Sequence, residues 1–301
     1  MKSFKGVFPA PCSPMTAAGD FDEAAFARVL EFNLQAGVHG FWLGGGSGES
    51  IMLDDDENKA LATVAADVVG DRAANIMHVG APTTRRSATM AEHAAATGAH
   101  AICCVPPFFY KRTDEEIVEH YRVVAAAADL PFFVYNLPHM TGVEITVDLM
   151  RKLVDGVPQL TGLKHSAAQF GTMMDFMAMD LQCFIGNCTL LLPALSVGAV
   201  GCIDGPPNMA PEVYVEVWDA FQAGDLERAR KAQRRGLAVR DLLIEFGAER
   251  FHSVLKAVVS HRIGLDCGEP RPPALPLTPQ ERQHIVAQAD KLGLTAVTVS
   301  T

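Results

Sequence analysis

The chain has 301 residues, 49% of them hydrophobic, and 25 Lys and Arg against 35 Asp and Glu give a formal charge of −10. That length and apolar content support a sizeable core without disulfide or metal staples. The acidic balance and the lack of a basic run exclude a surface that tracks phosphates, so nucleic acid is not an expected partner. Met1 to Gly6 reaches Pro9 and Pro11 without an apolar signal region, and no apolar run approaches the ~18 residues of a membrane span. The seven cysteines form no CxxC pair and lie mostly in apolar runs, as reduced, buried thiols of a cytoplasmic protein would.

Short β-branched or apolar runs alternate with longer segments of helical periodicity, the pattern of repeated βα units. Val7 to Cys12 reads as the first strand. Asp22 then opens a helix in which Phe26, Val29, Leu30, Asn33 and Leu34 share a face, and Gly37 stops it. Val38 to Leu43 is the second strand, Asp54 to Val69 a helix, Asn75 to Val79 the third strand, Thr84 to Thr97 a helix and Ala101 to Val105 the fourth strand. Thr113 or Asp114 caps a helix to about Ala128, with Glu115 and Glu116 in its first turn. The remaining strands are Phe132 to Tyr135, Leu160 to Lys164, Cys183 to Gly186 and Ala199 to Ile203. Eight such units predict a (β/α)₈ TIM barrel over residues 1–224, with chemistry at the carboxyl ends of the strands. An open, doubly wound sheet is the alternative. Residues 225–301 read as helix alone, Leu226 to Glu245, Phe251 to Ile263 and Thr278 to Leu292, broken by Pro270, Pro272, Pro273 and Pro276. This segment is too small for a separate fold and is expected to pack on the barrel as a C-terminal helical extension.

Three features fall at the expected catalytic face. Gly44 to Ser50 follows the second strand, and its glycines let backbone N–H groups converge on an anion such as a carboxylate, with the Ser47 hydroxyl beside them. A plain tight turn would look the same, and Glu49 fits a structural acceptor better than a catalytic acid. Tyr135 ends the fifth strand ahead of a Pro138-bearing turn, and Lys164 ends the sixth. An amine at a core edge is a candidate carbonyl nucleophile, since burial disfavours its charged form; a snorkelling lysine is the alternative. Neighbouring strands would project the phenol and the amine over one mouth. His78, His139 and His165 lack metal-ligand spacing, and His165 points away from Lys164 if the strand persists.

Gly45-Gly46-Ser47-Gly48-Glu49-Ser50, Tyr135-Asn136-Leu137-Pro138 with Thr141-Gly142, Gly162-Leu163-Lys164 and Gly198-Ala199-Val200-Gly201-Cys202-Ile203 occur in the order and spacing of one family. With them, nearly the whole chain resembles the dihydrodipicolinate synthase / N-acetylneuraminate lyase family. The resemblance implies a class I, Schiff-base-forming aldolase or lyase acting on a pyruvate-like 2-oxo acid without metal or organic cofactor, assembled as a homotetramer or homodimer. It implies that Lys164 is the Schiff-base lysine and Tyr135 the proton shuttle. Gly46 and Ser47 match the pair of small hydroxyl residues that hold the keto-acid carboxylate, so one hydroxyl is missing, and Ile203 matches the position whose backbone closes the pyruvate pocket. Met140 stands where the synthases carry an arginine for a second carboxylate. Phe109 stands where they carry a tyrosine reaching a neighbouring subunit; Tyr110 substitutes for it only if the loop is displaced, and His139 could reach a polar substrate. The expected activity is pyruvate release from, or condensation to, 2-keto-3-deoxy sugar acids. The alternatives are a dehydratase of such acids, dihydrodipicolinate synthase itself, and a barrel that binds keto acids without turnover.

Overall fold

The computed structural model describes residues 2–299. Eight parallel strands, β1 (Gly6–Pro9), β2 (Gly40–Leu43), β3 (Ala74–His78), β4 (Ala101–Cys104), β5 (Phe132–Asn136), β6 (Leu160–His165), β7 (Gln182–Ile185) and β8 (Gly201–Asp204), pair in the order β1-β8-β7-β6-β5-β4-β3-β2. Across the gap between β1 and β2, the His39 N–H donates to the Val7 carbonyl at 3.0 Å and the Val7 N–H to His39 Nδ1 at 3.2 Å. The sheet therefore curls into a nearly closed TIM barrel, and the open doubly wound alternative falls. β1 stops at Pro9 instead of running to Cys12, because Pro9 and Pro11 have no N–H to give a ladder.

The helices are α1 (Glu23–Gln35), α2 (Asp55–Val69), α3 (Thr84–Thr97), α4 (Asp114–Ala128), the single turn α5 (Pro138–Thr141), α6 (Val147–Gly156), α7 (Thr172–Met177), α8 (Leu191–Ser196), α9 (Pro211–Gln222), α10 (Leu226–Leu243), α11 (Phe251–Ile263) and α12 (Pro279–Lys291). Asp22 and Thr83 cap α1 and α3 through side-chain hydrogen bonds. Asp54 with Glu57, Thr113 with Glu116, and Thr278 with Glu281 form full capping boxes.

Burial on both faces explains why the strands read as continuous apolar runs. Alternate residues point inward: Trp42, Ile76, Cys103, Phe133, Tyr135, Phe184 and Ile203 fill the barrel, while Phe41, Leu43, Met77, Val134 and Leu163 face the helices. Edge-on aromatic contacts link the filling, with Phe4 against Phe133 at 5.3 Å and Trp42 against Tyr135 at 5.4 Å. The C-terminal helices close over this frame. α10 packs along α9, α11 touches α1, and Lys256 of α11, fully buried, lies 2.8 Å from Glu49 Oε2 in a buried ion pair. Its amine also donates to the Glu269 carbonyl at 2.9 Å. All seven cysteines are buried and free. Among the described residues no helix is long and apolar enough to cross a membrane.

Candidate active site

The turn after β2 is shaped by what surrounds it. A Cβ on Gly45 would lie 2.8 Å from Trp42 Cδ1, so the indole requires glycine there. Gly46 is under no such constraint, since its Cβ would meet only Tyr135 Oη, at 3.7 Å. The Gly48 and Glu49 N–H groups close the turn onto the Gly45 and Gly46 carbonyls at 3.1 and 3.2 Å. Among the described residues, no protein group accepts from the Gly46 or Ser47 N–H, which leaves two adjacent donors for an anion. Glu49 sits at a positive φ of 54°, a conformation that costs a non-glycine residue of order 1–3 kcal/mol. It is held there by Lys256 and by the Arg271 N–H, which donates to Oε1 at 2.8 Å. Glu49 is thus a structural acceptor, as its place in the sequence suggests.

Lys164 and Tyr135 are register partners on β6 and β5 and both point into the barrel. Lys164 Nζ donates to Tyr135 Oη at 3.0 Å, with the amine 4.3 Å from the tyrosine ring centroid and 5.5 Å from that of Trp42. Both side chains are 4% exposed. A cavity of about 400 Å³ opens at this end of the barrel, with Gly45, Gly46, His78 and Tyr135 in its lining. Lys164, Ser47 and Ile203 are buried and not part of that lining, while Tyr135, whose hydroxyl the amine touches, is part of it.

The other candidates are placed differently. Met140 and Thr141 of the α5 turn stand at the cavity rim, Met140 69% exposed, whereas His139 is exposed outside it. Phe109 and Tyr110 are 85% and 64% exposed and stack edge to face on each other, and Tyr110 does not line this cavity. His165 points outward as the strand alternation requires, packing on Phe176 and engaging the Gln169 carbonyl at 3.0 Å. Among the described residues no three His, Cys, Asp or Glu side chains are grouped as metal ligands would be.

Ser166, His252 and Arg271 are absent from the sequence reading, and His78 enters it only as a histidine without metal-ligand spacing. His78 continues the inward alternation of Ala74 and Ile76, a signal available in β3, and meets the Tyr135 ring at 6.1 Å. Its Nδ1 is 3.3 Å from Ser50 Oγ and its Nε2 has no partner. Ser166, two residues beyond Lys164, has a shielded and unpartnered Oγ, accommodated because Gly186 has no Cβ. His252 and Arg271 reach the cavity from the extension, which no local pattern reveals.

Burial pushes the His78 imidazole down to about 4; the Gly44 carbonyl opposes the fall and the nearby Lys164 charge adds to it. The unfolded chain then binds a proton near pH 6.5 that the folded chain refuses until about 4. The stability is fully present above 6.5 and is lost as the pH falls through that window. Denaturant unfolding of His78→Gln should show a pH dependence shallower than wild type by about 1.4 kcal/mol per pH unit between 6 and 4.5; parallel curves would show that His78 titrates normally.

Comparison with known proteins follows the same lines. The model of the dihydrodipicolinate synthetase family matches residues 3–292. An uncharacterized DapA-like lyase of Halobacterium salinarum is 35% identical over 96% of this chain and 94% of its own length. The wild-type sialic acid aldolase of Ruminococcus gnavus superposes with a TM-score of 0.90 at 25% identity, covering 96% of each chain. YagE, a prophage protein of E. coli K12 solved in complex with pyruvate, gives a TM-score of 0.87 at 25% identity over 97% of this chain and 99% of its own.

Proposed function

Because the chain belongs to the dihydrodipicolinate synthetase family, we propose that it is a Schiff-base-forming lyase that releases pyruvate from, or condenses it into, 2-keto-3-deoxy sugar acids. The observation that carries this reading is the 3.0 Å contact between Lys164 Nζ and Tyr135 Oη, beside a cavity whose lining holds Tyr135 and Gly46, with the Gly46 and Ser47 N–H groups unpaired. The unprotonated amine attacks C2 of a 2-oxo acid whose carboxylate rests on the Gly46 and Ser47 N–H groups. Tyr135 passes a proton to the departing hydroxyl, and loss of water leaves an iminium on Lys164. That cation takes up the electron pair of the C3–C4 bond as the C4 hydroxyl returns its proton to the Tyr135 oxygen and leaves as the aldehyde. The enamine then gains a proton at C3, and water releases pyruvate and free Lys164.

The rim supports the choice of substrate. Among the described residues lining the cavity, Arg271 is the permanently charged cation, and its guanidinium is already committed to Glu57 and the Gly19 carbonyl. A second substrate carboxylate therefore meets the Met140 thioether and forgoes a charge-assisted hydrogen bond of about 1.5–3 kcal/mol, roughly ten- to a hundred-fold. Polyhydroxylated acids lose nothing there, and His78, whose Nε2 is unpartnered, lines the cavity. We place the enzyme in the cytoplasm and read it as a homodimer or homotetramer, the assembly being supported by exposed Ile51, Met52 and Met140 on the rim and Phe109 and Tyr110 beyond it.

A substrate panel tests the assignment. Pyruvate release or dehydration from 2-keto-3-deoxygluconate-type acids should exceed condensation of pyruvate with aspartate semialdehyde by at least about ten-fold in kcat/KM. Efficient condensation with no sugar-acid turnover would make the chain a synthase. Water loss without pyruvate release would make it a dehydratase.

A further inference from the structure

We propose that His252, on the C-terminal extension, is a positioning residue that aims the Ser47 N–H at the substrate carboxylate. The inference rests on the pyruvate-binding role proposed above for the turn. His252 Nε2 is 2.9 Å from the Gly46 carbonyl, and since a carbonyl only accepts, Nε2 carries the proton. The same oxygen receives the Glu49 N–H at 3.2 Å, so both of its lone pairs are engaged. The Gly46 carbonyl and the Ser47 N–H belong to one planar trans peptide and point in opposite directions. A carbonyl pinned from the side of the extension therefore holds the N–H in one direction.

Gly46 is where such a restraint matters. Without a Cβ its backbone turns more freely than that of any other residue, and it is exposed at the cavity while its neighbours in the turn are buried. His252 is itself fixed. It lies in the first turn of α11 beside Phe251, whose ring occupies the space a Cβ on Gly205 would need. Lys256, one helical turn on and on the same face, holds Glu49. The helix thus grips the turn at two points, and His252 is the one that touches the peptide facing the ligand.

The test uses borohydride inactivation of the full-length protein as a function of pyruvate concentration, followed by intact mass, for wild type, His252→Phe and His252→Gln. Phenylalanine keeps the ring and removes the donor; glutamine keeps a donor at similar reach. The half-saturating pyruvate concentration should rise about five- to ten-fold in His252→Phe and return to within about two-fold in His252→Gln, with the limiting inactivation rate unchanged in both. Equal half-saturation in all three proteins overturns the role of His252 while leaving the pyruvate reading intact. So does a loss in His252→Phe that glutamine does not restore. No adduct in the wild type overturns the pyruvate reading and the inference with it.

Discussion

Lys164→Ala should take up no pyruvate under borohydride and should lose turnover by roughly 10⁴- to 10⁶-fold, the range seen when a covalent nucleophile is removed. Only an iminium is reduced to a stable secondary amine, so the mass of the trapped wild-type protein and its peptide map report the residue directly. The other buried lysine, Lys256, is a poor competitor, because its amine is taken by Glu49 and the Glu269 carbonyl and it does not line the cavity. The alanine variant should fold, since the aromatic filling of the barrel around Trp42 and Phe133 does not depend on the amine. An adduct that maps to Lys256, or that persists in Lys164→Ala, would end the proposed mechanism.

Tyr135→Phe should separate two steps that Lys164→Ala removes together. The ring, its contact with Trp42 and the volume of the barrel filling are retained, while the hydroxyl that Lys164 touches is lost. Turnover should fall about 10²- to 10⁴-fold, the usual worth of a positioned proton transfer. The pyruvate adduct should still form, more slowly, on Lys164. Turnover equal to wild type would reduce Tyr135 to a core residue.

The barrel was legible because its strands and helices carry opposite periods. Neighbouring strand ends put Tyr135 and Lys164 over one mouth, two-residue alternation turned His165 away from Lys164, and Asp22 and the Thr113-Asp114 pair marked helix starts through chemistry local to four residues. The same alternation would have found His78, had Ala74 and Ile76 been taken as an inward face. His252 and Arg271 were beyond such reasoning. They reach the cavity only because α11 and the Pro-rich stretch fold back over a turn some two hundred residues earlier, as the 206-residue separation between His252 and Gly46 makes plain. The interior indole that requires glycine at position 45, and leaves position 46 free, is likewise a contact that sequence spacing does not encode.

The ion pair between Glu49 and Lys256 also governs how the molecule comes apart. If the C-terminal helices were to peel away, Glu49 would lose both Lys256 and the Arg271 N–H and would keep its left-handed backbone with nothing to hold it. Water would then reach the carboxylate, and the strain of that backbone, of order 1–3 kcal/mol, would favour release of the turn and, with it, the anion-binding N–H groups. Detachment of the helices and loosening of the ligand pocket are therefore coupled through these contacts.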